Sequence, residues 1–207
     1  MIDDLTKSVQ DRWWDRVGRV FASAGLTANH VTWASTALVV ANAAAFPLHG
    51  RAIGFVVALA LFELLDNVDG AIARVTGTRS KTGAYLDAMT DRVKDMVTLA
   101  SVACVYDAWE PAFFGVAGAN ITSYAKARAG MEVRLDNRGW PDLFERLERI
   151  AYVVVMLIVA EVWSSRRTAV VTWGMWAFAG LTLLTAAQRF HRARARLREH
   201  DARERRE

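Results

Sequence analysis

Long apolar stretches alternate along this chain with densely charged ones. Six of the apolar stretches predict helices, over residues 30–46, 53–73, 84–106, 111–128, 149–163 and 168–188. Most lie near the ~20 residues that cross a bilayer, the first and fifth being short. Ahead of them, residues 3–22 carry Leu5, Val9, Trp13, Val17, Val20 and Phe21 on one helical stripe, with Lys7, Arg12, Arg16 and Arg19 elsewhere. Basic residues beside such a face predict an amphipathic helix lying in a membrane interface; packing of that face on the body of the protein is the alternative. Gly25-Leu-Thr27-Ala-Asn29 then breaks the helix. Tight connections at Gly50, at Asp107 to Pro111 and at Ser164 to Arg167 fall on one side, and longer, charged connections on the other. The expected architecture is all-α: a polytopic membrane protein of one domain, 1–207. It divides into an interfacial helix and linker (1–28), a six-helix transmembrane core (29–190) and a basic tail (191–207).

Charge orients this layout. Of the 26 Lys and Arg residues, 21 fall in the termini and connections on one side, against Arg51, Arg166 and Arg167 on the other. The positive-inside rule then places both termini at the cytoplasm, and the plasma membrane is the expected location. The pI near 9.6 follows from this topology and from contact with anionic membrane lipids, without a nucleic-acid partner. The basic stretch from Arg189 to Arg198 follows a predicted span and has little aromatic interleaving, which favours a membrane-surface helix or solvated tail over a nucleic-acid arm. The single cysteine, Cys104, excludes an internal disulfide. No cleavable signal, low-complexity tract or short repeat is evident.

Candidate chemistry changes the picture most between residues 63 and 91. Asp66 and Asp69 are three apart, Asp87 and Asp91 four apart, so each pair shares one face of its helix. The polar stretch from Arg74 to Thr82, with Gly77, lets the chain turn round so that the four acids converge. Like charges in apolar surroundings need cations, and all-oxygen ligation suits hard ions such as Mg²⁺, Mn²⁺ or Ca²⁺. Acids inside membrane-length segments are costly and usually functional. Gly70 permits close approach by a ligand, and Arg74, one turn on, can offer its guanidinium to a diphosphate. Glu63 and Asp95 extend the acidic faces, with Arg92 and Lys94 as candidate partners. The segment from Met131 to Trp140 is expected to be a cytoplasmic lid or a solvated loop.

Asp66-x-x-Asp69-Gly70-x-x-Ala73-Arg74, then eight residues, Gly83, three residues, Asp87, three residues and Asp91 resembles the signature of the CDP-alcohol phosphatidyltransferase family, with every fixed position filled across 26 residues. The resemblance implies six membrane helices around a cytoplasm-facing polar cavity, often in a homodimer. It implies transfer of a phosphatidyl group from a CDP-linked lipid to an alcohol, with release of CMP. Asp66, Asp69 and Asp87 become ligands of Mg²⁺ or Mn²⁺, with Asp91 at the edge of the metal site and also the general base for the acceptor hydroxyl. The family pattern adds Ser80 and the stretch Asn29 to Thr32 on the donor side, although Asn29 can equally cap the first span.

For the acceptor, Lys126, Arg146 and Arg189 lie at the cytoplasmic ends of the fourth, fifth and sixth predicted spans. This is similar to phosphatidylinositol phosphate synthases, in which a lysine and two arginines hold the acceptor phosphate. Contact with lipid headgroups is the alternative for these cations. Inositol phosphate is the expected acceptor; glycerol 3-phosphate, the substrate of phosphatidylglycerophosphate synthases, would satisfy the same charges. A divalent-cation transporter using the same acids, and a non-catalytic scaffold, are the readings from other classes.

Overall fold

The computed structural model describes residues 2–133 and 143–205, with side chains from Arg12 onward. Its helices are α1 (Ile2–Ser23), α2 (Ala28–His49), α3 (Ala52–Val75), α4 (Lys81–Tyr106), α5 (Trp109–Glu132), α6 (Arg146–Val162) and α7 (Arg167–Glu204), with a 3₁₀ turn at Ser164–Arg166 before α7. No strand occurs among the described residues. The all-α expectation holds, and each predicted apolar stretch lies within or nearly within a helix.

Local chemistry sets the boundaries. Thr27 caps α2 by accepting the His30 N–H at 3.3 Å, while its own N–H donates to His30 Nδ1 at 3.4 Å. The cap starts α2 two residues before the predicted span and gives His30 a structural role. Gly50 closes α2 in the left-handed region (φ 62°), its N–H bonded to the Phe46 carbonyl at 2.8 Å. Gly77, also left-handed (φ 67°), follows the end of α3 and turns the chain towards α4. Ser80 accepts the Gly83 N–H at 3.0 Å and caps α4.

The chain forms two compact units, 1–101 and 102–207, with the division inside α4. In the first, α3 packs against both α1 and α2. Val31, Val68 and Ile72 form a buried cluster covered by Trp14, Val17, Phe21 and Leu65. The predicted apolar stripe of α1 is therefore divided: Val17 and Phe21 face protein, while Trp13 and Val20 are exposed. Gly18 makes this docking possible, since a Cβ there would lie 2.8 Å from the Ala71 carbonyl carbon. In the second unit α7 packs against α5 and α6. Gly118 lies so close to Thr182 that a Cβ would approach its hydroxyl to 2.7 Å, and Phe144, Tyr152 and Phe178 form an aromatic cluster.

Among the described residues two segments, Ala28–His49 and Ser164–Glu204, are long and apolar enough to cross a membrane by length and composition. Three of the other helices are interrupted by charge or short. Glu63, Asp66 and Asp69 interrupt α3, five charges between Asp87 and Asp95 interrupt α4, and α6 has only 17 residues. The segment expected as a basic tail is helical through Glu204, continuous with α7. Of the candidate lid, Met131 and Glu132 belong to α5, and residues 134–142 lie outside the described residues.

Candidate active site

Within the first unit, the N-terminal part of α2, the C-terminal part of α3 and the start of α4 border a cavity of about 320 Å³. That is near the lower end of volumes typical of small-molecule sites, ~300–1,000 Å³. Its wall includes Asn29, Thr32, Asp69, Gly70, Arg74, Ser80 and Asp87. All five residues assigned to the donor thus line one space, together with two of the four aspartates. Because Thr27 caps α2, Asn29 is not needed for that purpose and lines the cavity instead. Among the described residues, and outside the backbone of its own helix, the nearest atom to a Cβ placed on Gly70 is Arg74 Nη1 at 3.7 Å, so its lack of a side chain opens space on the cavity side.

The aspartates are held individually. Thr32 donates its hydroxyl to Asp69 Oδ2 at 2.6 Å, and Ser35, one turn along α2, donates to Asp66 Oδ1 at 2.9 Å. Asp66 and Asp87 both act on Asp69 as like charges. Lys94 is fully buried, and its ammonium donates to both Asp66 oxygens while lying 3.6 Å from Asp91 Oδ1. Arg74 donates from Nε to Asp15 of α1 at 2.9 Å, which ties the docked helix to the cavity wall. Arg92 pairs with Asp95 at 3.6 Å, as its position suggested, whereas Lys94 turns to Asp66 and Asp91.

Residues 25–184 match the family model described as CDP-alcohol phosphatidyltransferase. This chain belongs to the CDP-alcohol phosphatidyltransferase family. It is 30% identical to the archaetidylinositol phosphate synthase of Pyrococcus horikoshii over 88% of this chain and 92% of that one. The fold is similar to the crystal structure of Mycobacterium tuberculosis phosphatidylinositol phosphate synthase with CDP-DAG bound, with a TM-score of 0.77 and 28% identity, covering 88% of this chain and 94% of that one. The same mycobacterial enzyme in complex with manganese and citrate matches with a TM-score of 0.76 and 28% identity, over 87% and 88% of the two chains.

For a CDP-alcohol phosphatidyltransferase the cluster at 66–91 has suitable chemistry for a hard divalent cation. The donors are carboxylate oxygens, and the burial of Lys94 among them shows that the protein interior here demands positive charge. Among the described residues no three acidic side chains converge as a finished cage. Asp66 is turned to Ser35 and Lys94, and Asp69 to Thr32.

The three acceptor candidates belong to the second unit. Arg189 is buried and donates to the Thr122 carbonyl at 3.1 Å, Arg146 opens α6 half-buried, and Lys126 is half-buried near the end of α5. Arg149, one turn after Arg146, is buried and donates to the Phe144 carbonyl at 3.4 Å.

Sequence reasoning passed over Ser35, Asp15 and Arg79, and gave Lys94 no definite place. Ser35 was detectable as the next residue on the Thr32 face of α2, and Lys94 as the next on the Asp91 face of α4. Asp15 and the cavity-lining Arg79 carried no comparable signal.

Proposed function

We propose that this enzyme transfers the phosphatidyl group of a CDP-linked lipid to a hydroxyl of a phosphorylated polyol, inositol phosphate foremost, releasing CMP. The observation that carries this reading is the single cavity that gathers Asn29, Thr32, Asp69, Gly70, Arg74, Ser80 and Asp87 within the family signature. The cytidine diphosphate part of the donor enters there, with Arg74 facing its phosphates and Gly70 leaving room for it. Asp91 takes the proton of the acceptor hydroxyl as its oxygen bonds to the lipid-side phosphorus and the bond from that phosphorus to the CMP oxygen breaks.

Asp66, Asp69, Asp87 and Asp91 would hold Mg²⁺ or Mn²⁺, which supplies charge neutralisation for the diphosphate and the departing CMP. The manganese complex of the mycobacterial relative supports a divalent cation. Lys126, Arg146 and Arg189 are assigned to the acceptor phosphate, on the likeness to synthases whose names specify inositol phosphate products. A neutral alcohol would have no use for three cations.

The same reading makes residues 1–207 one membrane domain of six spans, α2 to α7, with α1 at the interface through Trp13 and Val20. The charge asymmetry supports a plasma-membrane protein whose site faces the cytoplasm, and the family resemblance supports a homodimer.

The test is an acceptor screen. Purified protein with CDP-diacylglycerol or its ether-lipid equivalent, plus Mg²⁺, is offered inositol phosphate, glycerol 3-phosphate, serine and inositol, with CMP as readout. CMP release with inositol phosphate is expected. Reaction with glycerol 3-phosphate alone would make it a phosphatidylglycerophosphate synthase, and reaction with unphosphorylated alcohols alone would remove the roles of Lys126, Arg146 and Arg189. Metal flux through proteoliposomes without nucleotide would point to the transporter instead.

A further inference from the structure

Lys94 is the one fully buried lysine among the described residues, and it lies between Asp66 and Asp91. An ammonium has three donors. Two of the contacts made by Lys94 are with Asp66, and Asp91 lies 3.6 Å away on the same helix face. Solvent does not reach the group, so its charge is poorly screened. Thr90, one turn before Lys94 on α4, directs its neutral hydroxyl elsewhere, bonding back to the Leu86 and Asp87 carbonyls.

We propose that Lys94 is an internal counter-cation of the aspartate cluster, a positioning residue that competes with a divalent ion for Asp66 and so weakens metal binding. The inference rests on the proposed assignment of Asp66, Asp69, Asp87 and Asp91 to a divalent cation. A metal ion and an ammonium that share the two Asp66 oxygens are held close together and repel, although the carboxylate has lone pairs for both. Either the ion leaves Asp66 to the lysine and relies on the other aspartates, or it takes Asp66 and Lys94 moves onto Asp91, 3.6 Å away. In both cases the fixed positive charge opposes the ion. A buried ammonium left unpaired is costly, which is why it keeps to the cluster instead of withdrawing.

The experiment is a Mn²⁺ titration of metal-stripped protein in detergent, followed by electron paramagnetic resonance, on the wild type and on Lys94→Met, Lys94→Gln and Lys94→Arg. Thermal melting of the same samples without metal is recorded alongside. Lys94→Met and Lys94→Gln are expected to bind Mn²⁺ at least about tenfold more tightly, the minimum for removing one charge beside a divalent ion, or to bind one ion more. Lys94→Arg should stay near the wild type. Lys94→Gln keeps a hydrogen bond to Asp66 without charge and serves if Lys94→Met does not fold.

Unchanged or weaker Mn²⁺ binding in the uncharged variants, with the wild type binding, overturns the role of Lys94 alone and leaves it a structural ion pair that shifts only the melting temperature. Absence of Mn²⁺ binding in every protein, the wild type included, overturns the metal assignment and this inference with it.

Discussion

The donor cavity in residues 1–101 and the basic residues Lys126, Arg146 and Arg189 in residues 102–207 contrast in how strongly their surroundings specify them. Along the cavity, Asp69, Gly70 and Arg74 lie on little more than one turn of α3, and Ser80 and Asp87 follow on the next helix and its cap. Helical periodicity and one glycine turn at Gly77 are enough to put them together. The three cations sit on three different helices, and Arg189 already has a structural partner in the Thr122 carbonyl. A compact sequence motif assigns a reaction; dispersed cations assign a specificity only once the acceptor is known.

Substitutions can break or sharpen that contrast. The largest effect is expected at the acids: Asp91→Asn should lower CMP release by about a hundredfold to ten-thousandfold, the range of a lost general base. Steady-state assays with both substrates saturating should show the loss in kcat. Robust turnover would remove Asp91 from that role. Chelation of divalent ions should stop the reaction as completely, with recovery on addition of Mg²⁺ or Mn²⁺.

Next in size, Lys126→Ala should raise the KM for the phosphorylated acceptor by roughly tenfold or more, the value of a charge-assisted hydrogen bond. The KM for the CDP-lipid should stay the same. If both constants move together, the separation of donor and acceptor residues fails.

Two glycines give a smaller, structural version of the contrast. Gly18→Ala would drive a Cβ against the Ala71 backbone and should destabilise the protein by about 1–3 kcal/mol, read from melting in detergent. Gly70→Ala meets nothing closer than Arg74 at 3.7 Å among the described residues and lies inside α3, so melting should hold or rise, by up to about 1 kcal/mol, while donor binding weakens. The smallest effect is expected for Asp15→Asn. Both partners of the Asp15–Arg74 pair are partly exposed, so stability should change by less than about 1 kcal/mol. The KM for the donor should shift a few-fold as Arg74 loses its tether.

Much of the fold could be read from the chain, since apolar runs of membrane length become helices whether or not their partners are known. The helix starts were less legible. The α2 cap came from Thr27 and His30, not Asn29, because the reciprocal hydrogen bonds depend on rotamers that spacing does not specify. The stripe on α1 was visible, but its partner was not: Val17 and Phe21 bury against α3 through the close approach at Gly18, leaving Trp13 and Val20 outward. Among the described residues two segments are long and apolar enough to cross a membrane, against six apolar runs in the sequence; in α3 and α4 the acids and bases that interrupt the run are the candidate site itself.

What the sequence by itself determined is the family, the aspartate spacing and the helical character of the chain, all of which depend on residues within a few turns of one another. Tertiary structure alone decided which space Asn29 and Arg79 line, that Asp15 holds Arg74, that Ser35 reaches Asp66, and that Lys94 faces Asp66 as well as its own helix. Those contacts join residues 28 or more positions apart. At such separations helical period no longer fixes direction, and packing of one helix on another must.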